Sequence, residues 1–188
     1  MIVSIESLKA LREVTGAGMM DCKKALVEAG GDQEAARALI VEWGLATAVK
    51  RADRETKEGR VGLAVGLGAS GLPSAAGLAA LACETDFVAR NGYYIEAANT
   101  IASRVLDGRL SSPDSDVDAL VSEIALRMKE NIVLKGIGFI ESGDHECLDT
   151  YVHGEGGIAA VVRIRADASD RLQDPVVHVL VHDLSLQV

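Results

Sequence analysis

The chain has 188 residues, which is enough for one or two domains with a sizeable buried core. It carries 19 Lys and Arg against 28 Asp and Glu, and the net charge of −9 argues against a general nucleic-acid binder, because affinity for phosphate backbones comes mainly from clustered cations. Apolar residues make up 48% of the chain but aromatics only 3%, so we expect a core of Ala, Leu, Val and Ile in close-packed helices and a small sheet.

The sequence predicts neither a targeting segment nor a membrane span. Its longest apolar stretch, near Ala75–Cys83, is far shorter than the roughly 20 residues that a spanning helix needs. The first residues lack the basic and apolar regions of a signal peptide. The three widely spaced cysteines, Cys22, Cys83 and Cys147, are predicted to be reduced thiols, and these features together predict a cytoplasmic protein.

Residues 1–50 are predicted to form a compact bundle of three helices, because apolar residues recur at helical spacing in three successive stretches. Thr15–Gly18 and Gly30–Gly31 separate these stretches. Asp32 is predicted to cap the third helix and Gly44 to end it.

A charge-rich segment follows over residues 45–60, and its alternating signs favour a solvated helix or linker. The pattern changes at Val61, where apolar residues begin to alternate with small ones. A β-hairpin is the simplest interpretation, with Gly66–Pro73 as its loop and Leu78–Cys83 in its second strand.

The rest of the chain mixes helical and strand patterns. Further helices are predicted at Phe87–Asn91, Tyr94–Leu106, Asp116–Met128 and Gln173–Val188, and further strands at Ile132–Ile140, Leu148–His153 and Ile158–Arg165. This arrangement predicts an α+β fold.

Two short patterns that suggest chemistry are better explained by structure. Gly66–Gly71 matches the G-x-G-x-x-G dinucleotide fingerprint, but the segment before Glu84 is too short for the helix and strand that such a site requires. His178 and His182 have the i, i+4 spacing of zinc ligands, but no third ligand stands at a convincing spacing. We therefore predict no cofactor and no bound metal.

Motifs of catalytic nucleophiles are lacking as well, including G-x-S-x-G and H-E-x-x-H. The carboxylates of Asp114, Asp116 and Asp118 favour a helix N-terminus, where the macrodipole stabilises anions. Nothing in the sequence argues for an enzyme.

Two adjacent methionines lie in the segment Thr15–Leu26. Neighbouring residues on a helix point about 100° apart, so Met19 and Met20 are not both expected to face one small core. An exposed methionine is typical of an adaptable contact surface. The alternative is that both side chains seal the bottom of the bundle.

The segment Cys83–Asn91 is predicted to join a strand to a helical turn. Thr85 is a suitable N-cap, Asp86 lies in the first turn, and Val88 is expected to point inward. Phe87 is then expected to point away from the interior, where a rigid ring is suited to anchor a partner. The alternative is an ordinary strand-to-helix junction.

These two segments resemble the signatures of the elongation factor Ts family, the nucleotide-exchange factors of the translational GTPase elongation factor Tu. The first signature is similar to Thr15–Lys24, which reads T-G-A-G-M-M-D-C-K-K, and the second to Cys83–Asn91, which reads C-E-T-D-F-V-A-R-N. Weaker likenesses continue at Met128–Ile132 and Tyr151–Gly154. The resemblance covers essentially the whole chain.

The resemblance implies a particular domain order. An N-terminal three-helix, ubiquitin-associated-like bundle at residues 1–50 would be followed by a charged linker or helix at 51–60. A core of antiparallel sheet packed on helices would then comprise a first subdomain at 61–140 and the start of a second, incomplete subdomain at 141–188. Lys129 stands where the family often has Gly.

The resemblance also implies a function, the release of GDP from elongation factor Tu without chemistry on the part of the exchange factor. Phe87 would insert between helices of the GTPase near its Mg²⁺ and phosphate site, and Asp86 would hydrogen-bond the displaced segment. The other implied contacts are Thr85, Val88, Met19, Met20, Lys23, Met128 and His153. No direct contact with nucleic acid or membrane is implied, and homodimerisation stays open.

Two other functions remain alternatives at this point. A ubiquitin-associated-like bundle fused to a scaffold would act as an adaptor for ubiquitin-like or helical partners. An oxidoreductase would use Gly66–Gly71 to bind NAD(P)H.

Overall fold

The computed structural model describes residues 3–168, 171–172 and 174–187. Its helices are α1 Ile5–Thr15, α2 Met19–Glu28, α3 Gln33–Val49, α4 Asp86–Ala89, α5 Gly92–Gly108, α6 Ser115–Met128 and α7 Pro175–Ser185. Its strands are β1 Glu58–Leu67, β2 Pro73–Cys83, β3 Val133–Glu141, β4 Glu146–His153 and β5 Ile158–Arg165. Helices and antiparallel strands are combined, so the predicted α+β class is confirmed. Gln173 and Val188, the ends of the predicted last helix, lie outside the described residues.

The chain divides into two compact units. Unit 1 comprises residues 3–55 and 122–132, and unit 2 comprises the described residues of 56–121 and 133–187. Unit 1 therefore contains α1, α2, α3 and the end of α6, whereas unit 2 contains both sheets with α4, α5 and α7.

Unit 1 has a small aliphatic core between its N-terminal helices. The buried residues are Leu11, Cys22, Ala25, Leu26 and Ala36, with Leu8, Leu39, Ile40 and Trp43 packed around them. The Lys24 ammonium lies 4.4 Å from the centre of the Trp43 ring, a cation–π contact. The predicted cap of the third helix is confirmed, because the Ala35 amide donates to Asp32 Oδ1 at 2.8 Å.

The prediction that Gly44 ends α3 is wrong, because the helix continues to Val49. A Cβ at Gly44 would lie 3.2 Å from Leu126 Cγ of α6 and closer still to Cδ2. A mid-helix glycine costs about 1 kcal/mol relative to alanine. This glycine marks a close side-chain contact and not a helix end.

The charged segment at residues 45–60 does not form one element. Its first residues complete α3, residues 51–54 form turns, and β1 begins at Glu58, before the predicted start at Val61. The charges of Glu58 and Arg60 obscure this strand in the sequence. Because β1 is an edge strand, it accepts charged side chains.

The first sheet of unit 2 is antiparallel, in the order β1–β2–β3. The predicted hairpin is confirmed as β1–β2, with Leu63 opposite Leu78. At its tip the Gly68 amide donates to the Leu72 carbonyl at 2.9 Å, and Gly71 has a φ of +78°, a conformation that favours glycine.

Helix α5 packs on this sheet at unusually short range. It buries Tyr94, Ala97, Ala98, Ile101, Ala102 and Val105. A Cβ at Gly77 of β2 would meet the Ala102 carbonyl oxygen and lie 2.6 Å from the Leu106 amide nitrogen. Glycine in the strand thus allows the helix backbone to rest directly on the sheet.

The second sheet is the antiparallel hairpin β4–β5, which α7 covers on one side. Asp149 of β4 joins strand to helix, since its Oδ2 atom lies 2.9 Å from His182 Nδ1 and accepts a hydrogen bond from Ser185 Oγ at 3.1 Å. Val181 and Ser185 are the buried residues of α7.

An ion pair links α5 to the start of α6. Arg104 Nη2 lies 2.7 Å from Asp114 Oδ2, and the Val117 amide donates to Asp114 Oδ1 at 3.0 Å. The hydrogen bond from Arg104, followed by that from Val117, holds the pKa of Asp114 below its ordinary value of 3.8. A carboxylate with a depressed folded-state pKa stabilises the fold above its unfolded-state pKa, and this stabilisation is lost as the pH falls through the folded-state pKa.

We expect Asp114→Asn to reduce the acid sensitivity of the protein. The amide oxygen can still cap α6, but the charge that favours the folded state above about pH 4 is removed. Urea unfolding should show that the variant loses less stability than the wild type between pH 7 and pH 3. The difference between the two proteins should be modest, because the pair is solvent-exposed. Equal losses for both proteins would contradict this role of Asp114.

Candidate partner-binding site

The most exposed aromatic ring of unit 2 stands on a short turn after β2. Thr85 Oγ1 accepts a hydrogen bond from the Val88 amide at 3.4 Å and so caps α4. Before the cap, Cys83 Sγ donates to the Thr85 carbonyl at 3.3 Å. After the turn, Asn91 Oδ1 accepts from the Tyr93 amide and caps α5. The turn is therefore held from both sides by local hydrogen bonds.

The side chains of this turn point in different directions. Phe87 is 83% exposed, whereas Val88 is half-buried and Ala89 is buried. The exposure predicted for Phe87 is confirmed. An exposed phenyl ring on a capped turn is suited to fill a pocket on another molecule.

Asp86 lies next to Phe87 and keeps its carboxylate accessible. The Arg90 Nη1 atom lies 3.7 Å from Asp86 Oδ2, and both side chains are solvent-exposed. Such a pair is weak in water. The carboxylate can therefore exchange Arg90 for a hydrogen-bond donor on a partner.

His153 lies at the end of β4 in the same unit. Its side chain is exposed, and its Nδ1 atom lies 2.9 Å from the Tyr151 hydroxyl oxygen. The chain then turns through Gly154 and Gly156, whose φ values are +55° and +99°. Arg60 contacts both this turn, at Gly156, and α4, at the Ala89 carbonyl.

Unit 1 carries the other predicted contact residues. Met19 and Met20, at the start of α2, are 45% and 73% exposed, so the alternative in which both seal the bundle is wrong. Lys23 is exposed on the next turn. Met128, the last residue of α6, is half-buried.

The end of α6 lies close to the start of α2. Lys129 Nζ lies 3.3 Å from Asp21 Oδ2, and Lys129 itself has a φ of +60°. A left-handed conformation directly after a helix favours glycine, because glycine has no Cβ to clash. Here a lysine occupies such a position. Met128 therefore lies in the same unit as Met19, Met20 and Lys23.

The two other sequence patterns do not build a site. Gly66–Gly71 lies at the tip of an antiparallel hairpin, without the strand–helix geometry of a dinucleotide fold, so the oxidoreductase alternative is wrong. His182 is engaged by Asp149. Among the described residues, no three His, Cys, Asp or Glu side chains are grouped so as to hold a metal ion. In the same residues, no helix combines the length and the apolar character needed to cross a membrane.

Comparison with known proteins identifies relatives of this chain. A family model described as Elongation factor TS matches residues 84–188. Elongation factor Ts of Hydrogenobaculum sp. is 41% identical over 93% of the chain and 65% of the relative, and that of Borrelia hermsii is 35% identical over 100% of the chain and 66% of the relative. Elongation factor Ts of Aquifex aeolicus is 38% identical over 100% of the chain and 67% of the relative.

The chain thus spans just under two thirds of the length of the first two of these relatives. The family model covers more than half of the chain, including the turn that carries Phe87. The resemblance found in the sequence is confirmed, and the chain belongs to the elongation factor Ts family.

Proposed function

We propose that this protein is a guanine-nucleotide exchange factor that binds elongation factor Tu and promotes release of GDP during translation elongation. The observation that carries the proposal is the exposure of Phe87 on a turn fixed by Thr85 and Asn91. A buried phenyl group would stabilise the turn itself, whereas an exposed one is available to a partner. Membership of the family supports the same partner.

An exchange factor of this kind needs no catalytic residue. It binds the nucleotide-free GTPase more tightly than the GDP-bound form, and GDP and the exchange factor then weaken each other's binding by the same factor. Each tenfold acceleration requires about 1.4 kcal/mol of differential contact. The proposal is therefore non-enzymatic and involves no cofactor of this chain.

Phe87 and Asp86 supply the differential contact in this mechanism. The ring inserts between helices of the GTPase near its Mg²⁺ and phosphate site, and so displaces elements that hold the nucleotide. Asp86 then accepts hydrogen bonds from the displaced segment. Thr85 and Val88 keep the turn in shape, because one caps it and the other anchors it to unit 2.

The remaining contacts add affinity. Met19, Met20 and Lys23 bind the GTPase from an N-terminal bundle of the ubiquitin-associated type. Met128 and His153 extend the contact, the latter from the end of β4. The proposed setting is the cytoplasm, with no direct contact to nucleic acid or membrane.

Release of a fluorescent GDP analogue from purified elongation factor Tu tests the proposal. Substoichiometric amounts of this protein should accelerate release in a stopped-flow experiment, because an exchange factor turns over. Unchanged release would reject the proposed function. Binding to ubiquitin in a parallel pull-down would instead favour the adaptor alternative.

We expect Met20→Ala to weaken binding without changing the maximal rate of GDP release. Met20 is 73% exposed, so its burial by a partner contributes about 1.5 kcal/mol, or roughly tenfold in the half-saturating concentration. A contact that is equally strong in the initial complex and in the transition state for GDP release changes only the half-saturating concentration. Val14→Ala on α1, where Val14 is also exposed, is the matched control and should behave as wild type. A lower maximal rate for Met20→Ala would contradict a purely binding role.

A further inference from the structure

Arg60 of β1 contacts two separate turns of unit 2. Its Nε atom donates a hydrogen bond to the Ala89 carbonyl at 3.2 Å, at the last residue of α4. Its Cγ and Nη1 atoms also lie 3.0 and 3.2 Å from the position that a Cβ of Gly156 would occupy. One side chain thus touches the turn that carries Phe87 and the turn that follows His153.

The Ala89 carbonyl needs a donor from outside its own helix. The last carbonyls of any helix lack intrahelical partners. In this turn the Arg90 amide returns to the Asp86 carbonyl and the Asn91 amide to the Val88 carbonyl. Ala89 is buried, so loss of the donor from Arg60 would leave a poorly hydrated acceptor, which is costly.

Gly156 makes the second contact possible. It has a φ of +99° and is buried, and a Cβ would lie only 3.0 Å from the Arg60 Cγ atom, so the arginine would have to shift slightly. The glycine therefore combines a conformation that side chains disfavour with a space that Arg60 fills. Arg60 is held between the two turns by packing on one side and a hydrogen bond on the other.

We infer that Arg60 is a positioning residue, which fixes the turn bearing Asp86 and Phe87 through the Ala89 carbonyl and locks it to the turn after His153. The inference rests on the proposed function. A contact surface that is already ordered loses less conformational entropy on binding. The two turns thus reach the GTPase as one rigid surface.

A pair of substitutions separates the hydrogen bond from the charge. Arg60→Gln places a donor nitrogen on Cδ, as in arginine, but carries no charge. Arg60→Met keeps an unbranched stem against Gly156 and has no donor. We expect the efficiency of GDP release to fall about fivefold for Arg60→Met, and by less than about twofold for Arg60→Gln.

A matched control is Arg163→Met. Arg163 of β5 also donates to a backbone carbonyl, that of Glu141 at 2.8 Å, and it pairs with Glu146 of β4 at 3.6 Å. This variant should release GDP at the wild-type rate. Far-ultraviolet circular dichroism should show all the variants folded.

Two further readouts test that Arg60 acts through the Phe87 turn. Hydrogen exchange of the Arg90 amide, which bonds within the turn, should be about fivefold faster in Arg60→Met, with the α5 amides unchanged. The affinity for nucleotide-free elongation factor Tu gives the second readout. Arg60→Met should lower this affinity less in a Phe87→Ala background than in the wild type, because residues that act together are not additive.

Several outcomes would overturn the inference. Wild-type behaviour of Arg60→Met would remove the positioning role, and equal losses for Arg60→Met and Arg60→Gln would assign the effect to charge. Additive losses with Phe87→Ala would show that Arg60 acts separately. If the wild type does not accelerate GDP release, the proposed function fails, while hydrogen exchange still decides whether Arg60 orders the turn.

Discussion

Phe87→Ala should reduce the efficiency of GDP release from elongation factor Tu by about 30- to 150-fold while leaving the protein as stable as the wild type. Burial of a phenyl ring in a partner contributes about 2–3 kcal/mol, which corresponds to that range. In the free protein the ring is 83% exposed, so its removal leaves no cavity. Stopped-flow release and thermal unfolding measure the two effects separately.

Leu67→Ala is the matched control for this loss of an exposed apolar side chain. Leu67 lies at the end of β1 in the same unit and is 66% exposed. We expect it to leave both GDP release and thermal stability unchanged. Normal release by a stable Phe87→Ala variant would remove the ring from the mechanism, and a large drop in its melting temperature would show that the ring supports the fold.

Gly77→Ala should destabilise unit 2 by about 3 kcal/mol or more, the upper end of the usual cost of overpacking. The added methyl group would meet the Ala102 carbonyl and lie 2.6 Å from the Leu106 nitrogen, both atoms of the α5 backbone. A flexible side chain can move away from such a contact, but a helix backbone moves only with its whole packing face. The strain therefore spreads over the interface between α5 and the sheet.

Gly136→Ala tests whether this cost comes from the close approach. Gly136 lies on β3 of the same sheet, and a Cβ there would have no neighbouring atom within 4 Å. We expect this control to change stability little, or to raise it slightly by restricting the unfolded chain. Urea unfolding followed by circular dichroism compares the two. Equal stabilities would mean that α5 can shift away from β2 at low cost.

Periodicity and local caps account for the parts of the fold that the sequence predicts well. The three N-terminal helices, the β1–β2 hairpin and the long helix α5 each carry a pattern that repeats over several residues. The two errors depend on contacts outside the local pattern. Gly44 lies against the side chain of Leu126, far along the chain, and the start of β1 at Glu58 depends on pairing with Cys83.

In the candidate site, too, some features follow from the local sequence and others depend on contacts between distant residues. The exposure of Phe87 follows from its neighbours. Thr85 caps the turn and Val88 points inward, so the Phe87 side chain is directed towards solvent. Arg60 is different, since its contact with the Ala89 carbonyl joins residues 29 positions apart and involves a backbone atom that has no sequence signature. A lone arginine on a strand predicts nothing about its partner.

The single tryptophan of this protein, Trp43, packs against the core of unit 1. Indole emission therefore reports on unit 1 alone, while far-ultraviolet dichroism of the strands is dominated by unit 2, which contains both sheets. Coincident transitions from the two signals would identify one cooperative unfolding event, and displaced transitions would identify two. Each half of the molecule can thus be followed without a label or a tag.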